Sequence, residues 1–212
     1  MRNLTPEKAF IFRIIHIDNM GTALQHGLLS RTLAETVGPY TDIGNLQLIE
    51  KRKTREIEVT PFGTLSDYVP FYFTPRSPMA YNIKTGYGVP AKQNSEIVIA
   101  VGSLHKLQRT GKSFLFSDRH AYMRTASFSN DLGNLNILPW NLWQTSDFKY
   151  DSEHPDKLDR YQAEALIHEK MEIEHLLGFG CSCSATKESV EGMLAEAGLA
   201  IDVKLTPGWY FQ

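Results

Sequence analysis

The sequence predicts an α+β protein in which short strands alternate with helices. Two β-prone apolar runs carry this prediction, at 10–17 (FIFRIIHI) and 96–101 (EIVIAV), together with a helix-forming segment at 185–197. The chain of 212 residues is long enough for one sizeable core, and no internal repeat, low-complexity tract or long linker divides it. We therefore expect a single domain over residues 1–212.

The first elements follow from local patterns. Residues 10–17 are rich in Ile and Phe, so they predict a strand. Asp18 is the expected N-cap of a helix over 19–26, and Gly27 is expected to end that helix. The polar segment 30–42 is expected to be a loop.

The middle of the chain is predicted to hold one more helix and three strands. Apolar residues among charged ones favour a helix over 43–55 with one buried side. The aromatic run 68–73 (YVPFYF) favours a strand in which Pro70 marks a sheet edge or a bulge. Further strands are expected at 96–101 and 113–116.

The last third of the chain is predicted to contain a loop, helices and a closing strand. Many Asn, Asp, Ser and Pro residues predict a loop with partial order over 129–157. Propensity alone favours a helix over 160–171. A better helix is expected over 185–197, ended by Gly198, and a closing strand over 200–205.

Charge gives no global sign of a nucleic-acid partner, because the net charge is −2. Positive charge is local instead, with Lys51, Arg52, Lys53 and Arg55 close together. Such a patch is able to contact a few phosphates. From charge alone, a solvated helix face is the favoured explanation.

The N-terminal segment shows no secretory pattern, because it is polar before residue 10 and Arg13 interrupts the apolar run that follows. No apolar stretch approaches the roughly 20 residues of a membrane span. We therefore expect a soluble, cytoplasmic protein without a membrane partner.

Two cysteines, Cys181 and Cys183, lie one residue apart, where a mutual disulfide would be strained. Only His175 lies near enough in sequence to join them as a metal ligand. Structural zinc sites are closed sets of four ligands. We therefore expect two reduced thiols and no metal.

Common catalytic signatures are absent. The sequence has no phosphate-binding loop, no dinucleotide fingerprint, no H-E-x-x-H and no G-x-S-x-G. The glycines of LGFGCSC (177–183) make only a fragment of a fingerprint. Kinases, P-loop NTPases, zincins and α/β-hydrolases are therefore not indicated.

A few polar residues beside apolar runs are candidates for a site. His16 ends the first strand, where a structural role is favoured over a ligand contact. The segment 67–79 (DYVPFYFTPRSPM) is less ordinary, because its prolines fix the backbone around aromatic rings that are suited to stacking on a base. His120 follows a strand in a turn that could present it to a cleft. Glu164 lies among small and apolar residues, so partial burial would make its carboxylate useful in catalysis, although position alone favours a glutamate on a helix surface.

Taken together, these segments resemble the DarT family over nearly the whole chain. The matching stretches, in order, are IIHIDNMGTALQHGLLSR (14–31), IEKRKTREIEV (49–59), DYVPFYFTPRSPMAY (67–81), FLFSDRHA (114–121), RYQAEALI (160–167) and TPGWYF (206–211). The VPFYFTPRSPM block is the most specific of them, because it is long and has no generic structural reason to recur.

The resemblance implies an α+β, single-domain ADP-ribosyltransferase-like fold, with a central mixed β-sheet core split around an NAD cleft. It implies transfer of ADP-ribose from NAD, as co-substrate, to a base in single-stranded DNA. Family members are toxins, and a macrodomain antitoxin removes their modification. Thymine is slightly preferred here and guanine is the alternative, since no residue decides between them. We expect a monomer that acts without a metal.

The resemblance also implies roles for individual residues. The expected catalytic pair is Glu164 and Arg52. Expected NAD-binding residues are His16, Asp18, Asn19, Gly27, Leu28, Arg52, Tyr72 and Met79. Expected DNA-binding residues are Lys51, Arg55, Arg76 and His120.

Two departures from the family pattern affect these roles. Family members commonly carry consecutive arginines where this chain reads Lys51-Arg52, so Arg55 is the alternative to Arg52. The family glutamate usually begins a strand, which predicts a strand at Glu164 against the helix that propensity favours.

The implied mechanism is cleavage of NAD at the nicotinamide ribose with developing positive charge, as in glycoside chemistry. Glu164 would bind the ribose hydroxyl and help deprotonate the base. Arg52 would orient the pyrophosphate and the acceptor. His120 would position the base or NAD. Three alternatives stay open: an RNA or protein acceptor, plain NAD hydrolysis, and a catalytically silent single-strand-binding module.

Overall fold

The computed structural model describes residues 3–212, so the first two positions of the predicted domain lie outside the described residues. The ten strands are β1 (Phe10–His16), β2 (Leu28–Leu29), β3 (Tyr68–Tyr72), β4 (Ile97–Ser103), β5 (Phe114–Ser117), β6 (Phe128–Ser129), β7 (Glu164–His168), β8 (Lys170–Met171), β9 (Gly178–Cys181) and β10 (Val203–Leu205). The eight helices are α1 (Met20–His26), α2 (Arg31–Val37), α3 (Leu46–Arg52), α4 (Pro78–Thr85), α5 (Leu104–Arg109), α6 (Trp140–Thr145), α7 (Lys157–Tyr161) and α8 (Ser184–Glu196). One domain over the whole chain stays a prediction.

Eight of the strands form one mixed sheet in the order β10-β9-β4-β1-β3-β7-β5-β6. Strands β9 and β10 pair in parallel, and the other neighbours in this sheet are antiparallel. The remaining strands, β2 and β8, form a small second sheet. The α+β class predicted from the sequence is confirmed.

The large sheet opens between β1 and β3. Strand β1 pairs with β4 along its whole length, but it meets β3 only where Phe12 faces Tyr72. Two residues before Tyr72, Pro70 has no N–H to donate, and its carbonyl accepts a hydrogen bond from Arg13 Nη1 at 2.9 Å. Pro70 therefore lies inside the sheet rather than at an edge or a bulge, and its missing donor is harmless because the strands separate there.

The start of α1 differs from the prediction. His16, not Asp18, caps the first turn, since His16 Nδ1 accepts a hydrogen bond from the Asp18 amide at 3.2 Å. A short 3-10 turn, Ile17–Asn19, then leads into α1. The helix ends at Gly27 as predicted, with a left-handed φ of 86° that favours glycine.

Two segments were predicted wrongly. The expected loop 30–42 contains α2, which begins with the Ser30 hydroxyl accepting from the Leu33 amide and buries only Ala34. One buried position leaves little periodicity to detect. The expected helix 160–171 is instead α7 followed by β7, because Ala165, Leu166 and Ile167 are fully buried between β3 and β5. The strand that the family resemblance implies at Glu164 is confirmed.

The other predicted elements are present with shifted ends. The helix expected over 43–55 is α3, the strands expected at 96–101 and 113–116 are β4 and β5, and the last two elements are α8 and β10. The segment 129–157 has the expected partial order, with a 3-10 turn at Leu132–Ile137 and helix α6.

The aromatic block of the sequence belongs mainly to the core. Phe71 and Phe73 are both fully buried. The Phe73 ring stacks on Trp143, with 5.2 Å between ring centroids, and meets Trp140 edge-on. These two rings therefore support the sheet from behind and are not available to stack on a ligand.

Candidate active site

The opening between β1 and β3 continues into a cleft that holds about 1040 Å³ of space, part of it open to solvent. Its walls come from the sheet, from α3 and the loop before it, and from the end of the turn that follows β5. Its charged lining residues are Arg13, Arg31, Asp42, Arg52 and Glu164, and the His120 imidazole joins them. A largely apolar cleft with a few convergent polar groups is the usual form of a small-molecule site.

Glu164 lies at the bottom of this cleft and is only 2% exposed. Its Oε1 accepts hydrogen bonds from the Ala121 amide at 3.1 Å and from Arg52 Nη1 at 3.2 Å. Its Oε2 accepts from the same Arg52 nitrogen at 3.0 Å. The carboxylate is thus buried, paired with a cation and held in one orientation.

The backbone at Glu164 is fixed from two sides. In β7 it stands opposite Tyr72 of β3. The Glu164 amide donates to the Ser117 hydroxyl at 3.1 Å, and that hydroxyl donates to the Arg119 carbonyl at 2.6 Å. Ser117 is fully buried, so it ties the start of β7 to the turn that carries His120.

Arg52 is in the last turn of α3, and its side chain is 12% exposed. Nη1 contacts both oxygens of Glu164, whereas Nη2 is buried without a partner among residues 3–212. An unsatisfied guanidinium N–H beside a buried carboxylate is available to an acceptor atom of a bound molecule.

His120 approaches the same carboxylate, with 3.3 Å between His120 Nδ1 and Glu164 Oε1. The same nitrogen accepts a hydrogen bond from the Tyr122 amide at 3.2 Å. In a neutral imidazole that accepts at Nδ1, the proton is on Nε2. His120 therefore offers an N–H donor to the cleft that it lines.

Tyr72 and Met79 form the adjoining wall. The Tyr72 hydroxyl donates to Met79 Sδ at 3.4 Å. Burial, and next the negative charge of Glu164, raise the pKa of Tyr72 well above its ordinary value. The phenol therefore stays neutral and serves as a hydrogen-bonding and packing surface.

Sequence reasoning missed several lining residues, among them Arg13, Arg31, Tyr40 and Asp42. Arg31 donates to Asp42 Oδ1 at 2.7 Å and to Glu35 at 2.9 Å. Burial lowers the pKa of Arg31, but these carboxylates raise it by more. Arg13 had a visible signal, because it is the charged residue inside the apolar FIFRIIHI strand.

Five of the predicted site residues come together in the cleft: Arg52, Tyr72, Met79, His120 and Glu164. The others lie outside its lining. His16 is buried between the Asp18 amide and Glu96, whose Oε1 is 3.5 Å from His16 Nε2, and Asp18 is exposed. His16 therefore has partners within the fold, and its contact with NAD stays a prediction.

Asn19 acts on the cleft indirectly. Its side chain donates to the Thr41 carbonyl and accepts from the Thr41 amide, both at 2.9 Å. These bonds fix the loop that carries Tyr40 and Asp42. Gly27 and Leu28 lie behind this wall, where Leu28 pairs with Met171 of β8.

The remaining predicted DNA-binding residues are elsewhere. Lys51 is exposed on α3. Arg55 donates to the Met123 carbonyl at 3.4 Å and so contacts the turn after His120. Arg76 lies over the Phe211 ring, with its guanidinium carbon 4.6 Å from the ring centroid, in a cation–π contact near the C-terminus.

Residues 3–212 contain no cluster of three or more His, Cys, Asp or Glu side chains placed to hold a metal ion. Cys181 and Cys183 are both free thiols. In the same part of the chain, no helix is long and apolar enough to cross a membrane.

Comparison with known proteins gives one consistent family. A family model described as "ssDNA thymidine ADP-ribosyltransferase, DarT" matches residues 12–211. A protein of Escherichia coli O127:H6 named DNA ADP-ribosyl transferase is 39% identical over 211 residues, which are 99% of this chain and 97% of that protein. A DNA ADP-ribosyl transferase of Thermus sp. (strain 2.9) is 35% identical over 79% of this chain and 78% of its own length.

Solved structures agree. The structure of Thermus sp. 2.9 DarT in complex with ADP-ribosylated ssDNA has a TM-score of 0.89 at 29% identity, covering 97% of this chain and 98% of the other. The same protein in complex with NAD⁺ has a TM-score of 0.83 at 27% identity, covering 97% and 99%. The ADP-ribosyltransferase-like fold is therefore confirmed. The chain belongs to the DarT family of NAD-dependent DNA ADP-ribosyltransferases.

Proposed function

We propose that this chain transfers ADP-ribose from NAD to thymine in single-stranded DNA, with Glu164 and Arg52 as the catalytic pair. The observation that carries the proposal is the buried Arg52–Glu164 ion pair at the bottom of the cleft, with His120 beside it. The description of the matching family model and the Thermus complexes with NAD⁺ and with modified single-stranded DNA support the substrates.

The reaction exchanges one bond for another at the nicotinamide ribose. The bond from the ribose carbon to nicotinamide breaks, the electron pair returns to the ring nitrogen, and neutral nicotinamide leaves. A base nitrogen then bonds to the ribose carbon and gives up its proton, which Glu164 helps to accept. Because positive charge develops at the ribose, a fixed carboxylate close by lowers the barrier.

Glu164 is suited to this role because its charge is held in place before the reaction begins. Its oxygens are already bonded to Arg52 and the Ala121 amide, so little reorganisation is needed. We assign it to the ribose hydroxyl and to the developing charge. Arg52 holds the carboxylate in one orientation, and its free Nη2 is available to the acceptor base.

The Nε2–H of His120 suits a carbonyl of the acceptor base. Thymine carries carbonyls on both sides of N3, and loss of the N3 proton places negative charge on those oxygens. A donor there would stabilise the deprotonated base. A paired and stacked base does not expose this edge, which is the physical reason for a single-stranded substrate.

The remaining roles are proposals from the family resemblance. These include NAD binding by His16, Asp18, Asn19, Gly27 and Leu28, and DNA contacts by Lys51, Arg55 and Arg76. A toxin reversed by a macrodomain antitoxin, a monomeric state, a cytoplasmic location and a reaction without metal belong to the same set.

The alternatives differ in the acceptor. An RNA or protein acceptor would use the same carboxylate, and plain NAD hydrolysis would replace the base by water. Membership of an enzyme family disfavours a catalytically silent binding module. Guanine in place of thymine would keep the enzyme class and change only the base contacts.

The test is incubation with labelled NAD and a panel of single-stranded oligonucleotides, each lacking one base type, with RNA and protein acceptors alongside. We expect label on every oligonucleotide that contains thymine, none on the oligonucleotide without it, and none with Glu164→Ala. If label is lost only from the oligonucleotide without guanine, the modified base is guanine and not thymine. Label on RNA or protein alone would overturn the DNA assignment.

A further inference from the structure

Arg13 occupies the opening of the sheet and has no role in the mechanism above. Its side chain crosses from β1 to β3, where Nη1 donates to the Pro70 carbonyl at 2.9 Å. The residue is half-buried and lines the cleft. A charged side chain within an apolar strand needs a compensating partner.

The other two arginines of the cleft lining already have such partners. Arg31 pairs with Asp42 and Glu35, and Arg52 pairs with Glu164. Within the described part of the chain, Arg13 forms no ion pair. The lining thus holds three arginines against two carboxylates, and the uncompensated positive charge is that of Arg13.

The hydrogen-bonding groups of Arg13 are also incompletely used. Nε is buried without a partner, and Nη2 makes no hydrogen bond to any side chain or carbonyl of residues 3–212. A guanidinium with free donors and no carboxylate favours a phosphate, which accepts two parallel hydrogen bonds.

The position of Arg13 indicates which phosphate. Arg13 follows Phe12, which pairs with Tyr72, and Tyr72 pairs with Glu164 in the next strand. In NAD, a single CH₂ group joins the reacting ribose to the pyrophosphate, so a site for that pyrophosphate must lie near Glu164. The phosphates of the DNA backbone need not lie near Glu164, because only the acceptor base enters the cleft and the backbone stays outside it.

We propose that Arg13 binds the pyrophosphate of NAD in the opening between β1 and β3. This inference rests on the proposed use of NAD and moves the phosphate contact expected of Arg52 to a different residue. Arg52 then contacts Glu164 and the acceptor base and does not bind the pyrophosphate.

The test is equilibrium binding of NAD, ADP-ribose and adenosine to the full chain and to Arg13→Gln, without DNA. We expect Arg13→Gln to weaken NAD and ADP-ribose about 10- to 100-fold and adenosine less than about twofold. Arg13→Lys keeps the charge but lacks the planar fork, so a loss of about 3- to 10-fold is expected. Arg109→Gln removes the same charge from an exposed position at the end of α5 and should change nothing.

Unchanged affinity for NAD and ADP-ribose in Arg13→Gln would overturn the inference. Equal weakening of adenosine would do so too, because it would indicate a general disturbance of the cleft. Loss of single-stranded DNA binding with normal NAD binding would assign Arg13 to the DNA backbone instead. If Arg13→Gln does not fold, unchanged affinity in Arg13→Lys decides against the contact. A wild-type chain that binds ADP-ribose but modifies no DNA would remove the proposed function and leave this inference standing.

Discussion

Replacing Ser117 by alanine removes a side chain that joins Glu164 to the turn carrying His120. The Ser117 hydroxyl is fully buried, accepts from the Glu164 amide and donates to the Arg119 carbonyl. Alanine leaves the amide of the buried Glu164 and the carbonyl of the partly exposed Arg119 without this partner. The loss at the buried amide costs about 1–3 kcal/mol and the loss at the carbonyl costs less, so we expect the free energy of unfolding to fall by roughly 2–4 kcal/mol. For a chain of this size that lowers the melting temperature by roughly 5–15 °C.

The same substitution should also slow the reaction. The start of β7 would be free to shift, and a misplacement of the carboxylate by about 1 Å is able to cost on the order of a hundredfold in rate. We expect kcat to fall by about tenfold or more, whereas KM for NAD changes little, because Ser117 does not line the cleft.

The assays are denaturant unfolding and steady-state transfer of labelled ADP-ribose to an oligonucleotide. Ser113→Ala is the matched control, since Ser113 is exposed just before the same strand and only its carbonyl is used, by the His168 amide. Equal stability and equal kcat in the two variants would show that the Ser117 hydroxyl does not hold Glu164 in place.

Two further predictions follow from shifted pKa values. Burial raises the pKa of Asp67, but hydrogen bonds from Thr64 and Thr32 lower it by more. The ionised Asp67 therefore stabilises the folded chain fully above the unfolded pKa of about 3.9. This stabilisation is lost as the pH falls through the lower pKa of the folded state. Asp67→Asn should therefore lower the free energy of unfolding by about 1 kcal/mol at neutral pH, after allowance for solvent screening, and by much less near pH 3. An equal loss at both pH values would contradict this prediction. The Thr186 hydroxyl lowers the pKa of the partly exposed Cys183, and burial raises the pKa of Cys181 to about 11. Iodoacetamide should alkylate Cys183 in the folded chain and spare Cys181, and mass spectrometry showing equal labelling would rule this out.

The strands that the sequence predicted well are those whose pattern is complete within a few residues. The runs 10–17 and 96–101 contain enough consecutive apolar residues to define buried strands by themselves. Helix α2 was missed because it buries only Ala34. The strand β7 was missed by propensity because its conformation is set by β3 and β5 on either side, which are distant in sequence.

The site was only partly predictable for the same reason. The resemblance identified Glu164 and Arg52, which are 112 residues apart and meet only in the folded chain. Arg31 and Asp42 have no local signal, since they come from a short helix and from the loop held by Asn19. The aromatic rings of 67–79 are predicted from the sequence to stack on a base, yet Phe71 and Phe73 are core residues.

The central claim is that Glu164 directs ADP-ribose onto thymine in single-stranded DNA. The most direct measurement is mass spectrometry of the nucleosides released from an oligonucleotide of mixed sequence after incubation with NAD and the full chain. We expect ADP-ribosylated thymidine as the modified nucleoside. It should disappear with Glu164→Gln but not with Glu174→Gln, which changes an exposed carboxylate. An unmodified oligonucleotide, or a product that persists in Glu164→Gln, would show that Glu164 does not direct this reaction.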